Sequence, residues 1–119
     1  NDTQGHMTGD ELLRKVANAL VMVFLRKTDF VARLGGDEFA VILRETGDGD
    51  ARVLAERALA RIHAIPIAQA SEPGNKATVT ASIGLAPIAV GDDEKTWFER
   101  ADRALYLAKQ AGRDRVATP

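Results

Sequence analysis

Two adjacent carboxylates, Asp37 and Glu38, follow two adjacent glycines, Gly35 and Gly36, between the short apolar runs 29–34 and 39–43. Glycines take φ > 0 readily and leave space beside the backbone, so this pattern reads as a β-hairpin with negative charge at its tip. Carboxylate oxygens suit Mg²⁺, which keeps phosphate oxygens among its other ligands; the chemistry open to such a tip is that of metal-held phosphate. One carboxylate rarely suffices for a metal, so a further ligand is expected elsewhere. The same four residues also suit a plain solvated turn, where Gly and Asp are common.

Three other groups could meet a nucleotide. Lys109 and Arg113 stand four apart at the end of an expected helix. There they complement the helix dipole, and two cations on one side of a helix end could also hold a triphosphate tail. Arg26 and Asp29 form an Arg-x-x-Asp segment. It reads either as a helix-terminal charge pair or as a fork for phosphate or a guanine edge, with the carboxylate accepting from guanine N–H groups. Asn1 and Asp10, in a polar opening segment, could read a base edge through amide and carboxylate hydrogen bonds. His6 has no ligand-spaced partner for zinc, and His63 is expected at the surface or its boundary. Phosphate-loop glycine motifs and a serine-nucleophile elbow are both missing from the sequence.

The chain has 119 residues, 45% apolar and 28% charged, with a formal charge of -1, a length and composition expected of one globular domain without the basic excess that would point to DNA or RNA. It has no cysteine, which excludes disulfides, thiolate zinc sites and thiol nucleophiles. The longest apolar run, 17–25, is far shorter than a membrane span, and cytoplasmic residence is the default expectation.

Periodicity predicts the elements that must position these groups. A capping box of Thr8 and Glu11 opens a helix over about 9–25. The hairpin of 29–44 follows. A polar link over 46–50 leads to a helix from about 51 to 65, striped by Leu54, Ala58 and Ile62 and stopped by Pro66. Residues 70–76 read as a loop, and 78–83 as a strand that residues 85–90 extend or fold back upon. A last helix over about 94–110 carries Trp97, Phe98, Ala101, Leu105 and Ala108 as core positions and ends at Gly112, before a short edge strand at 115–117. Met7 and Met22 are expected to pack. The predicted class is α+β, with a mostly antiparallel central sheet and helices packed on it.

Taken in order, Asn1-Asp2, Gly5-His6, Gly9-Asp10, Gly35 to Phe39, Ser82-Ile83-Gly84, 101–106, Ala108-Lys109 and 112–116 resemble the diguanylate cyclase domain named for its GGDEF signature. The resemblance runs through nearly the whole chain. It implies a nucleotide-cyclase, palm-like fold and the condensation of two GTP into cyclic di-GMP with release of two pyrophosphates, in bacterial signalling. By that likeness Asn1 and Asp10 hold guanine beside Gly35 and Gly36, Asp37 and Glu38 hold Mg²⁺ (or Mn²⁺), and Glu38 assists at the metal or the 3′-hydroxyl. Lys109, which joins Asp37 and Glu38 as a catalytic candidate, binds the terminal phosphates with Arg113. Arg26 and Asp29 match the family's inhibitory product site, with Arg57 a weaker contact. The resemblance also implies a homodimer for catalysis and an upstream sensory or receiver domain in the parent protein, which could be membrane-anchored through a region not present here.

In the family, a strand ending in a metal-binding Asp precedes the Asn-Asp at which this sequence begins. The expectation is therefore a single GGDEF domain over 1–119 lacking its first strand, with impaired activity in this chain. The alternative is a non-catalytic domain that binds cyclic di-GMP or GTP.

Overall fold

A computed structural model describes residues 8–44, 46–66 and 78–119, and Thr8 opens its first helix. The Thr8 hydroxyl accepts from the Glu11 amide at 3.1 Å while the Thr8 amide donates to the Glu11 carboxylate at 3.1 Å, the reciprocal cap that the two residues predict. The Thr8 amide foremost, then the Thr8 hydroxyl, which donates to the Glu11 carboxylate at 3.0 Å, hold the Glu11 carboxyl below its usual range. Helix α1 spans Gly9–Val23, two residues shorter than expected, and closes with the Phe24 amide donating to the Leu20 carbonyl. Leu20, Val23 and Phe24 are buried, but Met22, expected to pack, is 52% exposed. It lies two residues past Leu20, on the opposite side of a 3.6-residue turn. Met7 lies outside the described residues.

Strands β1 (Phe30–Gly35) and β2 (Glu38–Ile42) pair antiparallel, with Phe30 opposite Ile42 and Gly35 opposite Glu38. The register shifts between Arg33 and Gly35, so Leu34 is an extra residue that bends β1 just before the turn.

Helix α2 spans Asp48–His63 and buries Ala55, Ala58, Leu59 and Ile62. It starts three residues earlier than expected. The polar link 46–50 donates its second half to the helix, since the Ala51 amide reaches the Gly47 carbonyl at 2.9 Å and an acid such as Asp50 is favourable in a first turn. His63 is exposed, as expected. The expected loop over 70–76 lies outside the described residues.

Of the expected strand 78–83 only Ser82 and Ile83 join a ladder, which continues to Gly84 as β3 (Ser82–Gly84). Its partner β4 (Arg115–Ala117) offers three residues, and among the described residues β3 has no other neighbour. A β-branched pattern gives the propensity, but the partner sets the length. The pair is parallel, because helix α3 (Glu94–Gln110) carries the chain from β3 to β4 as a crossover. Residues 85–90 do not extend the strand. Carbonyls that a ladder would use are taken by α3 instead: Ala86 accepts from the Trp97 indole at 2.9 Å and Pro87 from Arg100 at 2.8 Å.

Gly84 is where α3 meets β3. A Cβ there would stand 2.3 Å from the Leu105 amide nitrogen and 2.4 Å from the Ala101 carbonyl, backbone atoms that cannot yield separately. Ala104 and Ala108 on the same helix are fully buried. Small residues thus permit the close approach. Gly84→Ala is expected to destabilise the protein by about 3 kcal/mol through overpacking. Urea unfolding that leaves the midpoint unmoved would contradict this contact. Phe98, expected in the core with Trp97, is 53% exposed. Positions 97, 101, 104 and 108 share one face, and 98 lies about 100° round from 97.

The turn before α3 carries an acid network. Asp92 pairs with Arg100 and accepts from the Ala89 amide at 2.6 Å and the Thr96 hydroxyl at 3.0 Å, while Asp93 caps the helix by accepting from the Thr96 amide at 2.8 Å. The Arg100 guanidinium, then the Ala89 amide, lowers the Asp92 carboxyl from 3.8 to about 2. A lowered acid favours the folded state fully above its ordinary value, and that contribution disappears as the pH falls through about 2. Asp92→Asn is therefore expected to flatten the loss of stability between about pH 4 and pH 2. Parallel acid dependence of the two proteins in urea titrations would overturn this.

Among the described residues the chain divides into two compact units, 8–44 with 60–66 and 78–79, and 46–59 with 80–119. The first holds Leu20, Val23, Phe24, Ile62 and Val79 as its buried apolar residues, and the second holds Ala55, Ala58, Leu59, Ala104, Ala108 and Val116. No helix among the described residues is long and apolar enough to cross a membrane.

Candidate functional site

The hairpin tip takes the form that its glycines predict. Gly35 and Gly36 have φ of 143° and 52°, and a Cβ on either would meet nothing within 4 Å. Asp37 does not share the positive φ, so the turn has φ > 0 at its first central residue alone, the φ pattern of type II′ rather than type I′. Arg33, which the sequence did not single out, clamps this turn: its Nε and Nη2 donate to the Gly36 carbonyl at 2.9 and 2.6 Å. Its place two residues before Gly35 is the only signal that could have flagged it.

Asp37 and Glu38 are both exposed, and among the described residues neither has an ion-pair or side-chain hydrogen-bond partner. Two hard anionic donors beside open space fit one side of a Mg²⁺ coordination shell, with other oxygens needed to complete it. Among the described residues no group of three acidic, His or Cys side chains gathers to hold a metal by itself.

Arg26 and Asp29 are brought together. The Arg26 amide donates to Asp29 Oδ2 at 3.1 Å, Nε to Oδ1 at 3.1 Å, and Nη2 to Oδ1 at 2.9 Å, while the Asp29 amide donates to the Arg26 carbonyl at 2.9 Å. The Arg26 side chain, foremost among these, keeps the Asp29 carboxyl below its usual range. Arg26 also donates to the Arg44 carbonyl at 3.2 Å, joining the entry of β1 to the exit of β2. Beside this pair lies a hollow of about 410 Å³ lined by Lys27, Thr28, Asp29, Phe30, Ile42 and Arg44. Phe30 and Ile42 are opposed across the strands and 59% and 38% exposed, an apolar floor between cations. Phe30, Ile42 and Arg44 were not read as site residues, although hairpin register places them together. Such a hollow suits a flat aromatic anion.

Lys109 and Arg113 flank the C-terminal cap of α3. The Gly112 amide donates to the Lys109 carbonyl at 3.4 Å and the Arg113 amide to the Ala108 carbonyl at 2.9 Å, a Schellman closure with Gly112 at φ 120°. Arg113 and Asp114 continue in the left-handed region at φ 63° and 50°, a conformation costing about 1–2 kcal/mol per non-glycine residue. Strain of this kind concentrates at functional sites. Asp10 is exposed in the first turn of α1, and Arg57 is exposed on α2 in the second unit. Asn1 lies outside the described residues.

A family model described as "Diguanylate cyclase, GGDEF domain" matches residues 1–115. The chain is 43% identical over 116 residues to diguanylate cyclase DgcP of Pseudomonas aeruginosa, covering 98% of this chain and 17% of that protein. It is 40% identical over 116 residues to diguanylate cyclase DosC of Escherichia coli K12, covering 98% and 25%. It thus spans a quarter or less of these two relatives. Among solved structures, the coiled coil and GGDEF domain of DgcB from Caulobacter crescentus, in complex with c-di-GMP, matches 100% of this chain and 62% of that one with a TM-score of 0.85 and 33% identity. The α+β class expected from the order of elements is observed, and the GGDEF fold that the resemblance implies is the fold of this neighbour, the described strands forming one antiparallel and one parallel pair.

Proposed function

The chain belongs to the diguanylate cyclase GGDEF domain family, and from that premise we propose that it condenses two GTP into cyclic di-GMP with release of two pyrophosphates. The observation that carries this reading is the open glycine turn with two exposed, unpartnered carboxylates among the described residues. Asp37 and Glu38 hold a divalent cation, Mg²⁺ or Mn²⁺, and Glu38 also serves the 3′-hydroxyl. A cation so bound supplies charge neutralisation at the phosphates and eases ionisation of the attacking hydroxyl.

Lys109 and Arg113 bind the terminal phosphates as paired cations. Asp10, with Asn1, accepts from guanine N–H groups, and Gly35 and Gly36 let the nucleotide approach the backbone. Each 3′-oxygen forms a bond to the other nucleotide's α-phosphorus as the bond to pyrophosphate breaks and the hydroxyl proton passes to water. Two copies of the chain must face each other for this, and their mutual orientation is what dimerisation contributes to rate. Product binds in the hollow beside Arg26 and Asp29 and restrains the enzyme.

Incubation of the protein with GTP and Mg²⁺, with products identified by mass spectrometry, tests the reading. Slow formation of cyclic di-GMP, with two equivalents of pyrophosphate, is expected, because residues 1–119 lack the strand whose Asp the resemblance makes a metal ligand. The hollow also admits a second reading, a receptor that binds cyclic di-GMP there without making it. Binding of cyclic di-GMP with no GTP consumed at any Mg²⁺ or Mn²⁺ concentration would select that reading instead.

A further inference from the structure

The left-handed turn after α3 is held by a side chain that the proposed chemistry does not use. Both ends of the turn are anchored to β3, because α3 lies against Gly84 and β4 begins at Arg115, opposite Ser82. Between them Gly112, Arg113 and Asp114 all have positive φ, at 120°, 63° and 50°. Non-glycine residues leave that region unless their surroundings hold them. Here the Arg115 Nε donates to the Arg113 carbonyl at 3.0 Å. A terminal nitrogen of the same guanidinium stands 2.8 Å from where a Cβ on Gly112 would lie. Glycine at 112 therefore serves twice, permitting the backbone angle and leaving a seat for Arg115.

We propose that Arg115 is the positioning residue for the phosphate grip: its guanidinium, seated over Gly112, clasps the turn from which the Arg113 side chain springs and so fixes Arg113 relative to Lys109. This rests on the reading of Lys109 and Arg113 as phosphate ligands. Preorganisation of this kind acts on affinity because a grip already formed loses less freedom on binding. A third cation so near could instead touch phosphate directly. The two roles separate in Arg115→Gln, because the glutamine Nε2 sits as far along the side chain as the arginine Nε and keeps a donor for the Arg113 carbonyl while the charge is lost.

Two measurements on the full chain test the clasp. The first is amide hydrogen exchange without nucleotide, read at Arg113, whose N–H donates to the Ala108 carbonyl. Arg115→Ala is expected to speed exchange there about tenfold or more and leave the interior of α3 unchanged, with Arg115→Gln close to the parent. The second is calorimetric affinity for GTP and for GMP in Mg²⁺. Arg115→Ala should lose about tenfold for GTP and nothing for GMP, Arg115→Gln should stay within about twofold, and Arg113→Ala should cost less in the Arg115→Ala background than alone. Unchanged exchange in Arg115→Ala, or equal loss of GTP affinity in the Ala and Gln variants, would overturn the proposal. A parent chain that binds GTP no better than GMP would instead overturn the phosphate reading and the functional half of this proposal, while exchange still decides whether Arg115 holds the turn.

Discussion

Asp37→Asn is expected to lower Mg²⁺-dependent turnover of GTP about a hundredfold or more while moving the thermal midpoint by no more than about 2 °C. Both halves come from the same geometry. Asp37 is exposed at the turn, and among the described residues no side chain depends on it, so the fold loses nothing when its charge goes. Asparagine keeps nearly the same shape but replaces an anionic metal donor with a neutral amide. Turnover and unfolding measured on the same preparations check the pair of outcomes. Undiminished turnover would remove Asp37 from the chemistry, and a large fall in midpoint would make it structural.

Arg26→Ala is expected to weaken cyclic di-GMP binding about thirtyfold, roughly the 2 kcal/mol of a charge-assisted hydrogen bond, and to leave turnover measured before product accumulates unchanged. The Asp29 side chain is 2% exposed and takes its hydrogen bonds from Arg26. Without the guanidinium its carboxyl rises toward the ordinary range, and the bond from Arg26 to the Arg44 carbonyl that ties β1 to β2 is lost as well. A stability loss of about 1 kcal/mol should accompany the binding defect. Inhibition curves for the two proteins that superimpose would show that product restrains the enzyme elsewhere.

What the sequence disclosed and what it hid divide along one line. Features set by residues a few positions apart were legible: the Thr8–Glu11 cap, the positive φ of Gly35 and Gly36, the span of α3, and the glycine that closes it at position 112. Features set by a partner distant in sequence were not. The length of β3 depends on three residues of β4, and the path of 85–90 depends on Trp97 and Arg100 taking its carbonyls. Phe98 reads as apolar and helical, but its exposure is decided by which face of α3 lies on Gly84.

The candidate site follows the same division. The residues proposed to carry its chemistry, Asp37, Glu38, Lys109, Arg113, Arg26 and Asp29, stand out by type and spacing, and the family resemblance supplies the role proposed for each. The groups found around them do not: Arg33 at the Gly36 carbonyl, Arg44 beside the hollow and Arg115 over Gly112 are set apart only by the folded backbone.

The central claim is that the glycine turn and its two acids gather a divalent cation and GTP together. Calorimetric titration of GTP into the protein, with Mg²⁺ present and then removed by chelation, tests it most directly. The expected result is binding at least about tenfold tighter with Mg²⁺, the difference vanishing in Asp37→Asn. Equal GTP affinity with and without the cation, in the parent and the variant alike, would contradict the account.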